Sequence, residues 1–413
     1  MRFLTVAITV ALAAGYPLIA YIATALDLPS RPLSIAFRAV ALAGAVFLVI
    51  CGLADRRAAA SRGNILLLTF WLIYICRIII DISILDVERS ATQTPFQVYS
   101  FAIGASFLPI LAIALHGVKT DVDSYLKILL VLLFVQSSLI ISILIQEYGL
   151  NPEAFAVRQF IGDEDGDNVL NPISLARTGG QLFGLSVCWL AFRRGNVLLS
   201  TFLFVCVLMG LYLVLVGGSR GPLIAVGIGG LLISAYYLWL RGAMGVVYYI
   251  VGGMALVGLI ISQASALNIS TDDLAAVSRV QSTIESEDED LRITMWRSAL
   301  TMFSESPILG KAMFERIHRF HPHNILVESL MAIGILGTLP FLGAILACMV
   351  KFFRYAKAKA SSEVTLGILV LLLFIGWMTS GNISEGSELW VPMAYFLSLP
   401  SVAQARATLS PNA

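Results

Sequence analysis

The sequence predicts an all-α, polytopic integral membrane protein with about 12 transmembrane helices and one large periplasmic segment containing an amphipathic helix. Three observations carry this. Of 413 residues, 58% are hydrophobic and 13% charged, where soluble domains carry roughly a quarter charged residues. The mean hydropathy is +0.87. Apolar runs of about 20 residues, the length needed to cross the hydrocarbon core, fill nearly the whole chain.

Taken in order, the runs are 3–26, 34–54, 64–85, 98–118, 125–146, 173–192, 197–216, 222–240, 243–264, 323–350, 364–384 and 388–404. The first is longer than a leader's apolar region and lacks a small-residue cleavage site, so it reads as a span. The last is the weakest, short and interrupted by Pro392 and Pro400. No internal repeat relates the two halves, which counts against a transporter built by duplication. The whole chain, 1–413, reads as a single membrane domain.

Basic residues orient the spans. Arg56, Arg57 and Arg62 follow the second run, Arg193 and Arg194 the sixth, Arg241 the eighth, and Lys351, Arg354, Lys357 and Lys359 the tenth. All fall on one side, which the positive-inside rule assigns to the cytoplasm together with both termini. Segments 86–97, 147–172 and 265–322 then face outward.

The formal net charge of +1 says nothing about nucleic acid, and no basic tail or aromatic-interleaved patch suggests it as a partner. Cys51, Cys76, Cys188, Cys206 and Cys348 lie in apolar runs without metal-ligand spacing and read as small buried hydrophobes.

The outer segment 265–322 is the one long polar stretch. It holds nine of the 26 acidic residues and His318, His321 and, at its edge, His323. Within it, LRITMWRSALTMF has apolar residues at helical spacing, as in an amphipathic helix on the membrane surface or folded over the bundle. Ser306-Pro307 ends that helix. The acidic run 285–290 lacks EF-hand spacing and reads as a solvated turn. The sequons at Asn268 and Asn382 matter only in a eukaryotic secretory setting.

Gly217-Gly218-Ser219-Arg220-Gly221-Pro222 joins two spans on the outer side. Arg220 at a helix start, beside free backbone N–H groups, suits a phosphate; a tight turn with an arginine at headgroup level fits equally. Arg292 and Arg297 flank Trp296 on the amphipathic segment, facing either a substrate or anionic lipid. In His321-Pro322-His323-Asn324 a histidine can act as general base near neutral pH, while Pro322 and Asn324 also fit a plain helix cap. A His-x-His pair could hold zinc, yet only His318 lies near as a further ligand. Arg77 and Asp81, four apart within a span, share a face as a functional pair or a structural clamp. Arg38 and His116 stay ambiguous.

Together these pieces resemble the O-antigen ligase and O-antigen polymerase superfamily of bacterial membrane glycosyltransferases. The turn Ser219-Arg220-Gly221 matches its Ser-Arg signature. Arg292-Ile-Thr-Met-Trp296, followed by Ser306-Pro307-Ile308-Leu309-Gly310, looks like its R-x-x-x-W…SP-x-x-G segment. His323-Asn324…Gly334-Ile335-Leu336-Gly337 is similar to its His-Asn…G-x-x-G helix start, and Arg158-Gln-Phe-Ile-Gly162 with Asn171-Pro172 resembles its first outer loop. The likeness is strongest over 155–340. Ala332 departs from it, because many members carry an acidic residue there.

The resemblance implies transfer of a glycan from an undecaprenyl-diphosphate carrier to a hydroxyl acceptor at the outer face of the inner membrane, with inversion and without metal or other cofactor. Arg220 and Arg292 would grip the diphosphate, and His323 would deprotonate or orient the acceptor. Ser219, Arg158, Arg297 and Asn324 would bind substrate, and surrounding membrane lipids are implied partners. The acceptor is lipid A-core for a ligase, or a lipid-linked glycan for an O-antigen or exopolysaccharide polymerase. A twelve-span transporter or flippase is the rival from another class; it predicts polar residues at mid-membrane, whereas these candidates sit at one face. Arg292 and His323 matter on this reading, while the acidic run and His321 do not.

Overall fold

The computed structural model describes residues 10–26, 28, 30–54, 60–85, 93–116, 122–149, 161–162, 168–170, 172–192, 196–241 and 291–402, with Val6 besides. A π-helical turn Ala11–Gly15 leads into α1 (Tyr16–Ala25), followed by α2 (Ser30–Ala54) and α3 (Arg62–Ile79), which runs on through a π-helical turn Ile80–Ile84. Next come α4 (Pro95–Tyr99), a π-helical stretch Ser100–Phe107, α5 (Leu108–His116) and α6 (Val122–Tyr148). Strands β1 (Ile161–Gly162) and β2 (Asn168–Leu170) pair antiparallel, Ile161 opposite Leu170. After them come α7 (Pro172–Phe192), α8 (Val197–Gly217), α9 (Arg220–Arg241), α10 (Leu291–Glu305), α11 (Ile325–Lys357), α12 (Ser361–Ser380) and α13 (Ser387–Ser398).

Apart from that ribbon the regular elements among the described residues are helices. Among the described residues eight helices are long and apolar enough to cross a membrane, fewer than the twelve expected. The run 243–264 and most of the outer segment up to residue 290 lie outside the described residues, and 3–26 is described only in part. Two of the expected spans differ for physical reasons. Helix α7 has 21 residues but carries Arg177, Thr178 and Gln181, and most of it is buried by its neighbours, so it needs no fully apolar surface. Gly179 of α7 and Gly210 of α8 let these backbones touch: a Cβ on Gly179 would lie 2.5 Å from the Gly210 carbonyl oxygen. Helix α13 has only 12 residues, about 18 Å, too short to cross alone. It is instead a core piece, with Leu389–Leu397 buried throughout.

The core beside the site is aromatic. Phe70, Trp71 and Tyr74 of α3 meet Phe341 of α11 and Trp390 of α13, with ring centroids 5.0 Å apart for Phe70–Phe341 and 5.7 Å for Trp71–Trp390. Such edge and offset contacts add roughly 0.5–1.5 kcal/mol each beyond area burial. Trp390 Nε1 donates to the Ile383 carbonyl at 2.9 Å, which ties the α12–α13 loop to this cluster.

The two ends of the bundle differ in character. At one end the Lys351 ammonium donates to the Leu397 and Leu399 carbonyls, Asn64 Nδ2 donates to Ser398 Oγ, and His116 Nε2 lies 2.6 Å from the Leu48 carbonyl. Here His116 joins helices, while Arg38, elsewhere in α2, stacks over Phe101 at 4.4 Å. The opposite end collects the α8–α9 turn, the start of α10, the loop 306–324 and the end of α12.

Candidate active site

The loop 306–324 is seated on a break in α11. Gly334 has φ 62° and ψ −166°, which only glycine adopts readily, and it interrupts the helix. The break frees backbone groups, and the Ser306–Lys311 loop takes them up. Ile335 N donates to the Pro307 carbonyl at 2.8 Å, Leu336 N to Ile308 at 3.1 Å, and Lys311 N to the Met331 carbonyl at 2.7 Å. The approach is backbone on backbone: a Cβ on Gly310 would sit 2.3 Å from the Ala332 carbonyl group, and one on Gly334 2.4 Å from that of Ile308. The S-P-x-x-G and G-x-x-G motifs, far apart in sequence, are two halves of one joint.

The Arg77–Asp81 pair fastens the same loop. Arg77 Nη2 lies 2.9 Å from Asp81 Oδ1, and the guanidinium also donates to the Gly310 and Lys311 carbonyls. Asp81 Oδ2 accepts from Met313 N at 2.9 Å. Between the two alternatives left by the sequence, the structure gives this pair a clamping geometry. Farther along, Glu315 is fully buried and accepts from Ser298 Oγ, Ile317 N and His318 N, with His318 Nδ1 at 2.8 Å. Burial pushes this carboxyl up, but those hydrogen bonds outweigh it and hold it below the usual range.

The arginine-bearing elements meet at Thr379, near the end of α12. Gly221, next to Arg220 at the start of α9, is so close that a Cβ there would lie 2.0 Å from Thr379 Oγ1. Arg292 Nη1 donates to the Thr379 carbonyl at 2.9 Å. One helical turn on from Arg292, Trp296 Nε1 donates to the Pro322 carbonyl at 2.6 Å, between the two histidines. The R-x-x-x-W spacing thus puts one residue on α12 and the other on the histidine loop, from one face of α10.

His323 follows in the left-handed region, φ 56°, stacked near Phe320 with centroids 5.1 Å apart. Its imidazole is pushed down to about 4 by burial first, then by the nearby Arg292 guanidinium and by His321, against a smaller opposing pull from Glu328. At neutral pH it is a neutral base.

The other expected residues divide. Ser219 is buried in the α8–α9 turn. Asn324 caps α11, its Oδ1 accepting from Leu326 N and Val327 N at 3.0 and 3.1 Å, which is the plain-cap alternative realised. Arg297 is exposed, about 140° round α10 from Arg292, away from the junction. Arg158 lies outside the described residues. Asn382 is buried with its amide bonded to Glu385, Nδ2 to Oε2 at 2.8 Å, so that sequon is closed in this fold; Asn268 lies outside the described residues.

Two buried groupings escape the sequence motifs. Glu328, fully buried, accepts from Tyr74 Oη at 2.8 Å and Ile383 N at 3.0 Å, and His321 Nδ1 stands 3.1 Å from it. An acid inside the apolar run ILVESLMAIG was the signal that could have found it. It sits one helical turn before Ala332, where the acidic residue of the resemblance is missing. Arg177 pairs with Glu388 at 3.2 Å and stacks over Trp377 at 4.1 Å; its place inside an expected span hid it.

No curated protein matches the chain. Residues 204–342, which contain Arg220, Arg292, His323 and both halves of the loop–helix joint, match the family model described as O-antigen ligase. Over that stretch the chain is similar to the O-antigen ligase family, and among the described residues eight helices are long and apolar enough to cross a membrane.

Proposed function

We propose that the chain transfers a glycan from an undecaprenyl-diphosphate carrier to a hydroxyl of lipid A-core at the periplasmic face of the inner membrane, with both termini in the cytoplasm. The observation that carries this reading is the junction at Thr379 and Pro322. It gathers the Arg220 helix start, Arg292 and a neutral, half-buried His323 at one end of the bundle.

The arginines receive the diphosphate, whose charge grows as the glycosidic C–O bond breaks. Preorganised donors at such a leaving group are worth about 10²–10³ in rate. The acceptor hydroxyl oxygen attacks the anomeric carbon from the opposite face, its proton passes to His323, and undecaprenyl diphosphate departs, so the anomeric centre inverts. The base contributes roughly 10²–10⁴. Arg158 and Ser219 extend the donor or acceptor surface, and residues 155–340 form the core of the enzyme, with 265–322 on its periplasmic side. The polymerase alternative shares donor and site and differs only in passing the glycan to another lipid-linked repeat.

Reconstituted protein is supplied with lipid-linked donor and either lipid A-core or lipid-linked repeats. Product with lipid A-core supports the ligase reading; product only with repeats overturns it in favour of polymerisation. Transfer left intact by each of Arg220→Ala, Arg292→Ala and His323→Ala overturns the catalytic assignment.

A further inference from the structure

His321 has a set of partners that the transfer chemistry does not use. Its side chain is fully buried, with the Phe314 ring 4.9 Å away and the Phe320 ring 6.0 Å away. Both ring nitrogens face oxygen. Nε2 is hydrogen-bonded to Gln93 Oε1 at 3.3 Å, and Nδ1 stands at ion-pair distance, 3.1 Å, from Glu328 Oε1 without the alignment of a hydrogen bond. The Gln93 amide cannot be turned round to offer its NH2 group instead, because that group donates to the Glu385 carboxylate. Glu385 is held in turn by Asn382 Nδ2 and its own backbone N–H on Asn382 Oδ1. A neutral imidazole would leave a ring-nitrogen lone pair beside an oxygen in a site shut off from water. An imidazolium donates to Gln93 Oε1 and pairs by charge with the Glu328 carboxylate.

We propose that His321 is a protonated imidazolium at neutral pH, held between Glu328 and Gln93, and that it acts as a positioning residue that keeps His323 neutral and its loop in place. The groups around it fit that charge. Glu328 comes from α11, Glu385 acts through Gln93 from the α12–α13 loop, and Tyr74 from α3 donates to Glu328 and turns no positive charge toward the ring. His323 and, beyond it, Arg292 are the neighbours of like sign or neutral. Burial alone favours neutral His321, and the Glu328 carboxylate with Glu385 outweighs it, so the group is raised above its ordinary value. The same positive charge is among the causes that hold His323 down. A charged histidine two residues from a neutral one separates an anchor from a base within one tetrapeptide. The catalytic consequence rests on the proposed role of His323; the protonation state does not.

The chain has four histidines, so ring nitrogens labelled with 15N can be assigned by elimination, using His116→Gln, His318→Gln and His323→Gln and leaving His321 native. In lipid bilayers, without donor or acceptor, His321 is expected to show two protonated nitrogens at pH 7. An unprotonated ring nitrogen on His321 at pH 7 overturns the proposal, whatever the glycan-transfer assay shows. In His321→Gln the titration midpoint of His323 is expected to rise. An unchanged midpoint in a variant with native thermal unfolding overturns the coupling.

Discussion

Placing a methyl group on Gly334 tests the joint that carries the histidine loop. In Gly334→Ala the backbone must hold φ 62°, ψ −166° with a side chain, which costs about 1–3 kcal/mol. The new Cβ would also stand 2.4 Å from the Ile308 carbonyl carbon and oxygen and 2.6 Å from Gly310 N. These are backbone atoms that cannot swing aside as a side chain would. Moving the loop away breaks the bonds from Ile335 N to Pro307 and from Leu336 N to Ile308, each worth about 1 kcal/mol. The combined cost is about 3–5 kcal/mol, enough to lower the Tm by on the order of 5 °C and to open the loop to protease. The assay is thermal unfolding in detergent followed by tryptophan fluorescence, with limited proteolysis mapped across 306–324. Gly376→Ala is the control, because a Cβ there meets nothing within 4 Å and a helical Gly→Ala exchange is neutral or stabilising. An unchanged Tm and proteolysis pattern in Gly334→Ala would refute the reasoning that loop and broken helix form one unit.

Other outcomes follow from the same geometry. Because the folded His323 sits near 4, below its ordinary value, the neutral form it favours adds stability at pH above about 6.5, and that contribution is lost as pH falls toward 4. For the same reason kcat/KM for glycan transfer is expected to stay flat from pH 8 to 6; a pH-rate profile with an acid limb centred near 6.5 contradicts this. Trp296→Phe keeps an aromatic ring but removes the donor to Pro322, and a loss of about 1 kcal/mol in stability together with a fall in kcat is expected, read by kinetics beside Tm. Arg77→Ala leaves the buried Asp81 carboxylate without its cation and is expected to cost about 3–5 kcal/mol, whereas the apolar pair Arg77→Met with Asp81→Leu recovers part of it in the same unfolding assay.

Local chemistry made much of this protein legible in its sequence. Hydropathy is a property of each segment by itself, so the membrane class and most of the spans could be read directly, as could the amphipathic helix Leu291–Glu305 and its stop at Ser306-Pro307. It places the helix α7 but not its burial, and it reads the short α13 as longer than the 12 residues it has, because a segment's own composition does not record its neighbours. The four-residue spacing of Arg292 and Trp296 announces one helical face, but not that the two reach Thr379 and Pro322.

Those partners were decided by tertiary structure, since each contact joins residues distant along the chain whose types alone carry no pairing information. Gly310 and Gly334 read as two loose motifs until the backbones were seen to touch, and Arg77–Asp81 stayed open between function and clamp until Gly310, Lys311 and Met313 appeared around it. His321 and His323 are equivalent in the sequence, a pair around a proline. They part company only in the fold, where the Glu328 carboxylate works against burial to raise one, while burial and Arg292 lower the other.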